Sequence, residues 1–217
     1  MLNHLRMSGK YFFEEVFKEG EHDISLIFHL QKENNQVSNN ENVKEKKLIY
    51  CDSRRFSVFY LQPRETFYSL LPYKNIGPDI IQEKITPDLI ARFKNLRIPI
   101  KVALLDQKIV SGIGNIYAVE ILFVAQVRPE KITKTLAPEE IEKILQITQN
   151  ILHEAIEMGG TSEFDFINPL NEIGYYQKKL KVYNRAGKPC FRCGELIKRI
   201  ELNGRGTFFC PQCQENN

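Results

Sequence analysis

The most constraining feature of this 217-residue chain is a set of four cysteines near its C-terminus. Cys190 and Cys193 form one C-x2-C pair, Cys210 and Cys213 form a second, and sixteen residues separate the two pairs. Paired cysteines at this spacing are typical of a tetrahedral zinc site whose four thiolates leave no position for a catalytic water. Reduced core cysteines would not stand beside Gly, Pro and charged residues. The pattern therefore predicts one structural Zn2+ ion bound by these four cysteines.

The segment between the two cysteine pairs is typical of a β-hairpin. Leu196 to Leu202 and Gly206 to Phe209 are strand-like and flank Asn203-Gly204, a dipeptide that favours a two-residue hairpin turn. Such a hairpin would bring the cysteine pairs together and present Arg205 at or just past its tip. An arginine fixed there could reach a phosphate or a damaged base, and a solvated turn residue is the alternative at that position.

Charge is distributed unevenly along the chain. The formal net charge is only +3, from 30 basic and 27 acidic residues, so composition alone does not indicate a nucleic-acid-binding protein. Between Lys178 and Arg205, however, nine basic residues face two acidic ones, which makes this stretch a candidate phosphate-binding surface. The first residues lack the apolar run and cleavage site of a secretory signal, and we expect a cytoplasmic protein without membrane contact.

The order of strand-like and helix-like stretches predicts an α+β fold. Residues 10–30 and 48–61 read as strands, separated by a polar, asparagine-rich loop over residues 31–47. Residues 79–158 have helical periodicity. The expected helix starts are Pro78-Asp79, Thr86-Pro87, Pro99, the turn Gly112 to Asn115, and Ala137-Pro138, and Gly159-Gly160 should end the longest helix. Segregated elements of this kind favour separate modules over a parallel sheet.

Several of these segments together resemble one family, the bacterial formamidopyrimidine-DNA glycosylases. In family order, the matching segments are His4 to Gly9, Asp52 to Phe56, Ile76 to Pro78, Ile100-Lys101, Leu104 to Gln107, Gly112 to Ala118, Gly159 to Thr161, Val182-Tyr183, Arg205 to Thr207 and Cys210 to Gln214. The resemblance implies excision of oxidised purines such as 8-oxoguanine and formamidopyrimidines, followed by cleavage at the abasic site. It also implies a partial N-terminal β-sandwich (1–75), a helix-two-turn-helix domain (76–160), and a lesion-side loop with a four-cysteine zinc finger (161–217).

The resemblance also assigns residues that hold the DNA backbone. Lys101 and Asn115 match a lysine and an asparagine that grip phosphates beside the damaged nucleotide, although Asn115 on its own would read as a helix N-cap. Arg205 matches the finger arginine, which contacts phosphates and has a role in the second elimination step. Tyr176 resembles a further phosphate contact.

Three further side chains match the family's wedge, which fills the duplex where the damaged nucleotide has rotated out. These are Met7, Arg54 and Phe56, and the neighbouring Arg55 is an additional expected DNA contact. Flipping a nucleotide costs stacking and pairing energy, so an apolar plug with an arginine for the orphaned base lowers that cost. Without the resemblance, Met7 and Phe56 would read as ordinary core residues.

The match fails at the chemical centre of the family. The resemblance implies an N-terminal proline as nucleophile and a following glutamate as acid, whereas this sequence begins Met1-Leu2-Asn3. The family's lysine before an early strand has only Lys18 as a candidate, and Ser57 replaces a usual glycine. The favoured interpretation is an N-terminally truncated product, with a decayed gene product or a working DNA-binding remnant as alternatives. We therefore expect DNA binding with little or no glycosylase activity.

The expected partner is double-stranded DNA containing oxidised or abasic sites, bound by a monomer. A relative acting on oxidised pyrimidines is an alternative within the same superfamily, but the Asp52 to Phe56 motif resembles the purine-specific branch. A zinc ribbon associated with the ribosome or with transcription is an alternative from another class. That alternative would leave Lys101, Asn115 and the helical segment without a role.

Overall fold

A computed structural model describes residues 1–20, 22–30, 46–162 and 167–215. The strands are β1 (Leu2–His4), β2 (Lys10–Phe13), β3 (Ile24–Leu30), β4 (Lys46–Cys51), β5 (Val58–Tyr60), β6 (Lys198–Leu202) and β7 (Arg205–Phe209). The α-helices are α1 (Pro87–Lys94), α2 (Ile100–Leu105), α3 (Asn115–Ala125) and α4 (Pro138–Glu157). Of the polar loop predicted over residues 31–47, residues 31–45 lie outside the described ranges. Its last two residues, Lys46 and Lys47, belong to β4.

The chain divides into two compact units. Unit 1 comprises Met1–Phe67 and Met158–Gln177, and unit 2 comprises Tyr68–Glu157 and Lys178–Asn217. Within the described part of the chain, no helix combines the length and the apolar character needed to span a bilayer.

Unit 1 contains two small antiparallel sheets. One pairs β1 with β5, and the other has the order β2-β4-β3. Aromatic rings join the sheets, because Phe59 on β5 contacts Tyr50 on β4 and Phe28 on β3. Among the described residues of this unit, few apolar side chains are buried, and Phe12 on β2 forms a small cluster with Ile49 and Cys51 on β4. The strand pattern thus yields a two-layered unit whose layers meet mainly through aromatic side chains.

Unit 2 is built around α3, a helix that is buried on almost all sides. It packs against α2, α4 and the finger strand β7. Local signals set the helix bounds: the Thr86 hydroxyl accepts a hydrogen bond from Leu89 N at the start of α1, and Glu140 accepts one from Ala137 N before α4. The long helix α4 ends just before Gly159-Gly160, both of which have positive φ, so the expected glycine stop is present.

The α+β class expected from the sequence is confirmed, with strands first, helices next and a hairpin at the end. One expected helix start is wrong. Residues after Pro78-Asp79 form turns instead of a helix, because Ile80 N donates to Ser111 O and the Asp79 carboxylate accepts from Ile81 N. Pairing with the segment around Ser111 therefore occupies the backbone groups that a helix would need, and α1 begins only at Pro87.

Candidate nucleic-acid interface and metal centre

The four predicted cysteine ligands converge at the base of the finger hairpin. The Sγ atoms of Cys190, Cys193, Cys210 and Cys213 all lie within 4.8 Å of one another. Cys193 Sγ is 3.4 Å from Cys210 Sγ, and Cys190 Sγ is 3.9 Å from Cys213 Sγ. Four thiolates around one zinc ion at tetrahedral geometry would be about 3.8 Å apart. The cluster therefore fits one structural zinc ion, as the spacing predicted.

The hairpin above this cluster has the predicted turn. Asn203 and Gly204 both have positive φ, and Leu202 pairs with Arg205 across the two-residue turn. Arg205 is consequently the first residue of β7 and is exposed. Its position next to the turn matches the expectation, and the hairpin pairing makes it part of a strand.

Apolar packing fixes the finger to the helical part of unit 2. Phe208 and Ile197 from the finger share a buried cluster with Val119 and Phe123 on α3. Gln214 is completely enclosed, and its side chain accepts from Cys210 N and donates to Val127 O. Since these contacts join the metal ligands to the end of α3, the finger and the helices form one structural element within unit 2.

The structure brings Lys101, Asn115 and the finger strand together. Lys101 Nζ donates to Thr207 Oγ1 at 2.7 Å and lies 3.4 Å from Gly206 O. Asn115 Nδ2 donates to the same Gly206 oxygen at 3.1 Å. The helix N-cap is Gly114, so the alternative that Asn115 serves as an N-cap is wrong. Lys101 and Asn115 meet at the Gly206 oxygen, and Arg205 precedes Gly206 in the chain, so we call these three residues the Gly206 group of unit 2.

The electrostatics of this group follow from burial. The Lys101 side chain is 0% exposed. Burial, reinforced by the positive charge of Arg205, lowers the pKa of Lys101 from 10.5 to about 8. Lys101 therefore loses its proton closer to neutral pH than a solvated lysine does, and a nearby anion would favour the charged form.

A buried glutamate holds the segment that leads into the finger. Glu120 on α3 is 3% exposed, and its carboxylate accepts hydrogen bonds from the backbone N–H groups of Lys181, Val182 and Tyr183. Burial raises the pKa of Glu120, while these three donors and the Lys181 charge oppose the rise. Such a carboxylate anchors residues 181–183 beside the helix.

The predicted wedge residues are at the surface of unit 1. Met7 is 84% exposed and Phe56 is 67% exposed, so the alternative that they are core residues is wrong. Arg54 and Arg55 are also exposed, and Arg55 has positive φ. Met7 and Phe56 are therefore accessible for contact with another molecule.

One buried carboxylate joins the two loops that carry Met7 and Phe56. Asp52 is 2% exposed and accepts hydrogen bonds from the hydroxyls of Ser8 and Ser57 and from Ser57 N. Burial alone would raise the pKa of Asp52, but the bonds from Ser57 and Ser8 hold it well below its usual range. Because Ser8 follows Met7 and Ser57 follows Phe56, Asp52 fixes both wedge loops.

Gly9 lets these loops approach closely. A Cβ at this position would lie 2.5 Å from Tyr50 Oη and 2.6 Å from Leu5 O. The Leu5 carbonyl accepts a hydrogen bond from Gly9 N, and it lies 3.3 Å from the Ser57 hydroxyl oxygen, which donates its one hydrogen to Asp52. Ser57, which departs from the family's glycine, therefore has a structural use in this chain.

Tyr176 also belongs to unit 1. It begins a short 3-10 helix, Tyr176–Lys179, and its side chain is 5% exposed. Its backbone N–H donates to Gly160 O, so the chain at Tyr176 returns to the glycine pair that follows α4. The expected role of Tyr176 as a phosphate contact stays a prediction.

Comparisons with known proteins agree with this geometry. Residues 76–166 match the model of the formamidopyrimidine-DNA glycosylase H2TH domain, and residues 187–216 match a zinc finger found in FPG and IleRS. The formamidopyrimidine-DNA glycosylase of Listeria monocytogenes serotype 4b is 37% identical over 216 residues, which are 99% of this chain and 75% of that protein. The chain belongs to the formamidopyrimidine-DNA glycosylase family. The protein of the same name from Cytobacillus firmus is 37% identical over 215 residues, 99% of this chain and 74% of that one.

Solved structures of family members are similar over the same extent. Lactococcus lactis Fpg in complex with DNA containing an abasic site superposes with a TM-score of 0.79 at 34% identity. MutM in complex with DNA containing carbocyclic 8-oxo-G gives a TM-score of 0.76 at 30% identity. Each alignment covers 99% of this chain and 74% of the other. The resemblance noted in the sequence, including the zinc finger and the helix-two-turn-helix domain, is thus confirmed at the level of the family.

Sequence reasoning missed three buried polar residues of the site. Asp52 and Thr207 lie inside segments that match the family, but the expected roles fell on the exposed arginines beside them. Glu120 stands in a helix of apolar residues, and a lone carboxylate in such a run was the available signal, since a buried charge requires partners.

Proposed function

We propose that this chain binds double-stranded DNA containing an oxidised purine or an abasic site, as the DNA-holding part of a formamidopyrimidine-DNA glycosylase and abasic-site lyase. The observation that carries the proposal is the Gly206 group of unit 2, which consists of Lys101, Asn115 and Arg205. Lys101 and Asn115 meet the finger strand at Gly206, next to an exposed Arg205 on a hairpin that zinc ligands close. Two donors that meet at Gly206, beside an exposed arginine, suit a phosphodiester.

Each member of the group has a distinct role in holding a phosphate. Asn115 is the first residue of α3, where backbone N–H groups lack helical partners and the helix dipole favours an anion. Its amide has two hydrogens, so donation to Gly206 O leaves one for a phosphate oxygen. Lys101 adds positive charge from beneath the surface, and Arg205 provides an exposed donor fork.

Unit 1 supplies the wedge for the flipped-out nucleotide. Met7 and Phe56 present apolar surface, and Arg54 presents donors for the orphaned base. The motif Asp52 to Phe56 favours oxidised purines, that is 8-oxoguanine and formamidopyrimidines, over oxidised pyrimidines. Arg55 and Tyr176 are proposed as further backbone contacts, and Arg205 as a participant in the second elimination step.

For the 217-residue polypeptide itself we expect binding with little or no excision. The resemblance implies that the family's imine forms on an N-terminal proline, and the 216 matched residues of this chain correspond to 75% of the length of the Listeria monocytogenes protein. We further expect a monomer that acts in the bacterial cytoplasm. Sedimentation of the free chain and of its DNA complex tests the stoichiometry, and a second protein copy per lesion would contradict it.

Binding is tested with a duplex that contains one tetrahydrofuran abasic analogue and with an undamaged duplex of the same sequence. We expect Asn115→Ala and Arg205→Ala each to weaken binding to the abasic duplex by roughly tenfold or more, since each removes a hydrogen bond to a charged group. Lys198→Ala is the matched control, because Lys198 is an exposed basic residue at the far end of the same hairpin. Equal losses in all three variants would indicate general charge attraction and contradict the proposal.

Borohydride trapping separates binding from chemistry. On an 8-oxoguanine duplex, we expect the polypeptide to shift mobility without forming a covalent adduct or a nick. Covalent trapping would show that the polypeptide is a working glycosylase and lyase. Failure to bind the abasic or the 8-oxoguanine duplex better than the undamaged one would overturn the proposed function. A stronger preference for an oxidised-pyrimidine duplex would overturn the purine specificity.

A further inference from the structure

We infer that Thr207 is a positioning residue for DNA binding. Its hydroxyl fixes the Lys101 ammonium and the Arg205 backbone relative to each other. The inference rests on the proposed function and deepens it. It concerns a fully buried residue that contacts Lys101 and the Arg205 backbone from inside the protein.

The Thr207 hydroxyl uses both of its hydrogen-bonding capacities. It accepts from Lys101 Nζ at 2.7 Å and donates to Arg205 O at 3.1 Å. The Thr207 side chain is 0% exposed, as is Lys101. A buried hydroxyl thus lies between the Lys101 cation and the Arg205 carbonyl, and it is hydrogen-bonded to both of these members of the Gly206 group.

The chemistry of a buried ammonium explains why the hydroxyl matters. A charged amine enclosed in protein requires hydrogen-bond acceptors, and Lys101 has Thr207 Oγ1 and the more distant Gly206 O at 3.4 Å. Without the hydroxyl, the remaining acceptor is the longer contact. The ammonium would then move or lose its proton, and its charge would leave the place where a phosphate arrives.

The second hydrogen bond acts on the finger. Arg205 follows the two-residue turn, and its carbonyl is held by Thr207 on the same strand. Gly206 between them offers its carbonyl to Asn115 and Lys101. Side-chain hydrogen bonds therefore hold the carbonyls of both Arg205 and Gly206. The Thr207 hydroxyl connects the Arg205 carbonyl to the Lys101 ammonium.

The experiment compares hydroxyl removal with hydroxyl retention at one site. Thr207→Val keeps the shape and the strand preference of the side chain, and Thr207→Ser keeps the hydroxyl. Thr148→Val is the matched control, because Thr148 is equally enclosed and donates its hydroxyl to Ile144 O on α4. Affinity for the tetrahydrofuran duplex is measured by fluorescence anisotropy, after zinc content has been verified for every variant.

We expect Thr207→Val to weaken binding about tenfold, as the loss of a hydrogen bond to a charged group would. Thr207→Ser and Thr148→Val should bind within about twofold of the wild type. A double-mutant cycle with Lys101→Met supplies a readout that general loosening of the finger would not give. Because the bond to Arg205 O remains to be lost, Thr207→Val should weaken binding only about threefold in the Lys101→Met background, compared with about tenfold in the wild-type background.

Each alternative result overturns the inference. Wild-type affinity in Thr207→Val, or equal weakening in Thr207→Ser, shows that the hydroxyl does not position the group. A tenfold loss in the double variant relative to Lys101→Met shows that Thr207 acts independently of Lys101. If Thr207→Val fails to fold, the comparison of Lys101→Met with the double variant decides, since no unpaired ammonium is then buried. Failure of the wild type to prefer the abasic duplex removes the proposed function, whereas an unchanged Thr207→Val beside a binding wild type removes only this inference.

Discussion

The two units of the chain are stabilised in different ways. Unit 2 encloses large apolar side chains completely, among them Phe93, Leu104 and Ile121, and adds a four-cysteine cluster. Unit 1 buries few apolar side chains among its described residues and ties its loops together through the carboxylate of Asp52. Its strand β3 leaves several apolar residues about half exposed: Ile24, Leu26, Ile27 and Leu30.

Under the proposed function, this difference separates two contributions to DNA binding. The Gly206 group of unit 2 would depend on packing and on the metal, whereas the proposed wedge of unit 1 would depend on hydrogen bonds to the Asp52 carboxylate. A change that removes zinc should therefore abolish phosphate binding and leave the wedge loops intact. A change at Asp52 should disturb the wedge loops and leave phosphate binding by unit 2 intact.

The largest expected effect comes from loss of the metal. Cys210→Ser should lose zinc and reduce affinity for the abasic duplex by roughly a hundredfold or more, because zinc binding supplies much of the folding energy of such a finger. Cys51→Ser is the matched control, since Cys51 is also a buried cysteine but lies in unit 1. Metal analysis and anisotropy measure both variants. Stoichiometric zinc and normal binding in Cys210→Ser would contradict the role of the finger.

Asp52→Asn should destabilise unit 1 by about 2 kcal/mol. The carboxylate has two acceptor oxygens and the amide has one. In the variant, at least one of the donors on Ser8 and Ser57 therefore loses its acceptor, and the others bond to a neutral group. Hydrogen exchange should show faster opening of residues 5–9 and 52–57, with unit 2 unchanged.

Asp106→Asn is the control for that change, because Asp106 in unit 2 accepts a hydrogen bond from Lys108 N that an asparagine can also accept. The pH dependence sharpens the test. The pKa of Asp52 is lowered on folding, so its contribution is present at neutral pH and decreases on acidification below the usual carboxylate range. A pH-independent stability of unit 1 across that range would contradict the assignment.

Phe56→Ala should reduce the preference for the abasic over the undamaged duplex by about tenfold, because an exposed apolar wedge compensates for lost base stacking. Thermal stability should hardly change, since the side chain is exposed. Phe191→Ala makes a matched comparison, as Phe191 is 65% exposed in the finger of unit 2. Equal effects of the two substitutions on lesion preference would argue against a dedicated wedge.

The smallest expected effect is a pH dependence of binding. With a pKa of about 8 in the free protein, Lys101 loses its charge between pH 7 and pH 9, and affinity should fall by about fivefold. Lys101→Met should bind more weakly at pH 7 and show a flat profile over this interval. The sign for stability is opposite: burial lowers the folded-state pKa below 10.5, so unit 2 should gain stability as pH rises from about 8 to 10.5. If the affinity of Lys101→Met fell with pH as much as that of the wild type, the pH dependence could not be assigned to Lys101.

Local signals in the sequence were sufficient for the metal site and the hairpin. Cysteine spacing and the Asn203-Gly204 turn act over a few residues, and the structure agrees with both. Contacts over long separations were out of reach. Lys101 and Thr207 are 106 residues apart, and their burial could not be read from their neighbours in the sequence. The expected helix start at Asp79 failed for the same reason, because pairing with Ser111 outcompeted a local preference.

The most direct measurement is a crystal structure of the zinc-loaded chain bound to a duplex with one tetrahydrofuran abasic site. We predict a backbone phosphate beside that site within hydrogen-bond distance of Asn115 Nδ2 and the Arg205 guanidinium, with Thr207 still between Lys101 and the Arg205 carbonyl. A duplex bound elsewhere on the chain, with no phosphate at Asn115 and Arg205, would contradict the central claim that unit 2 holds the DNA backbone through this group.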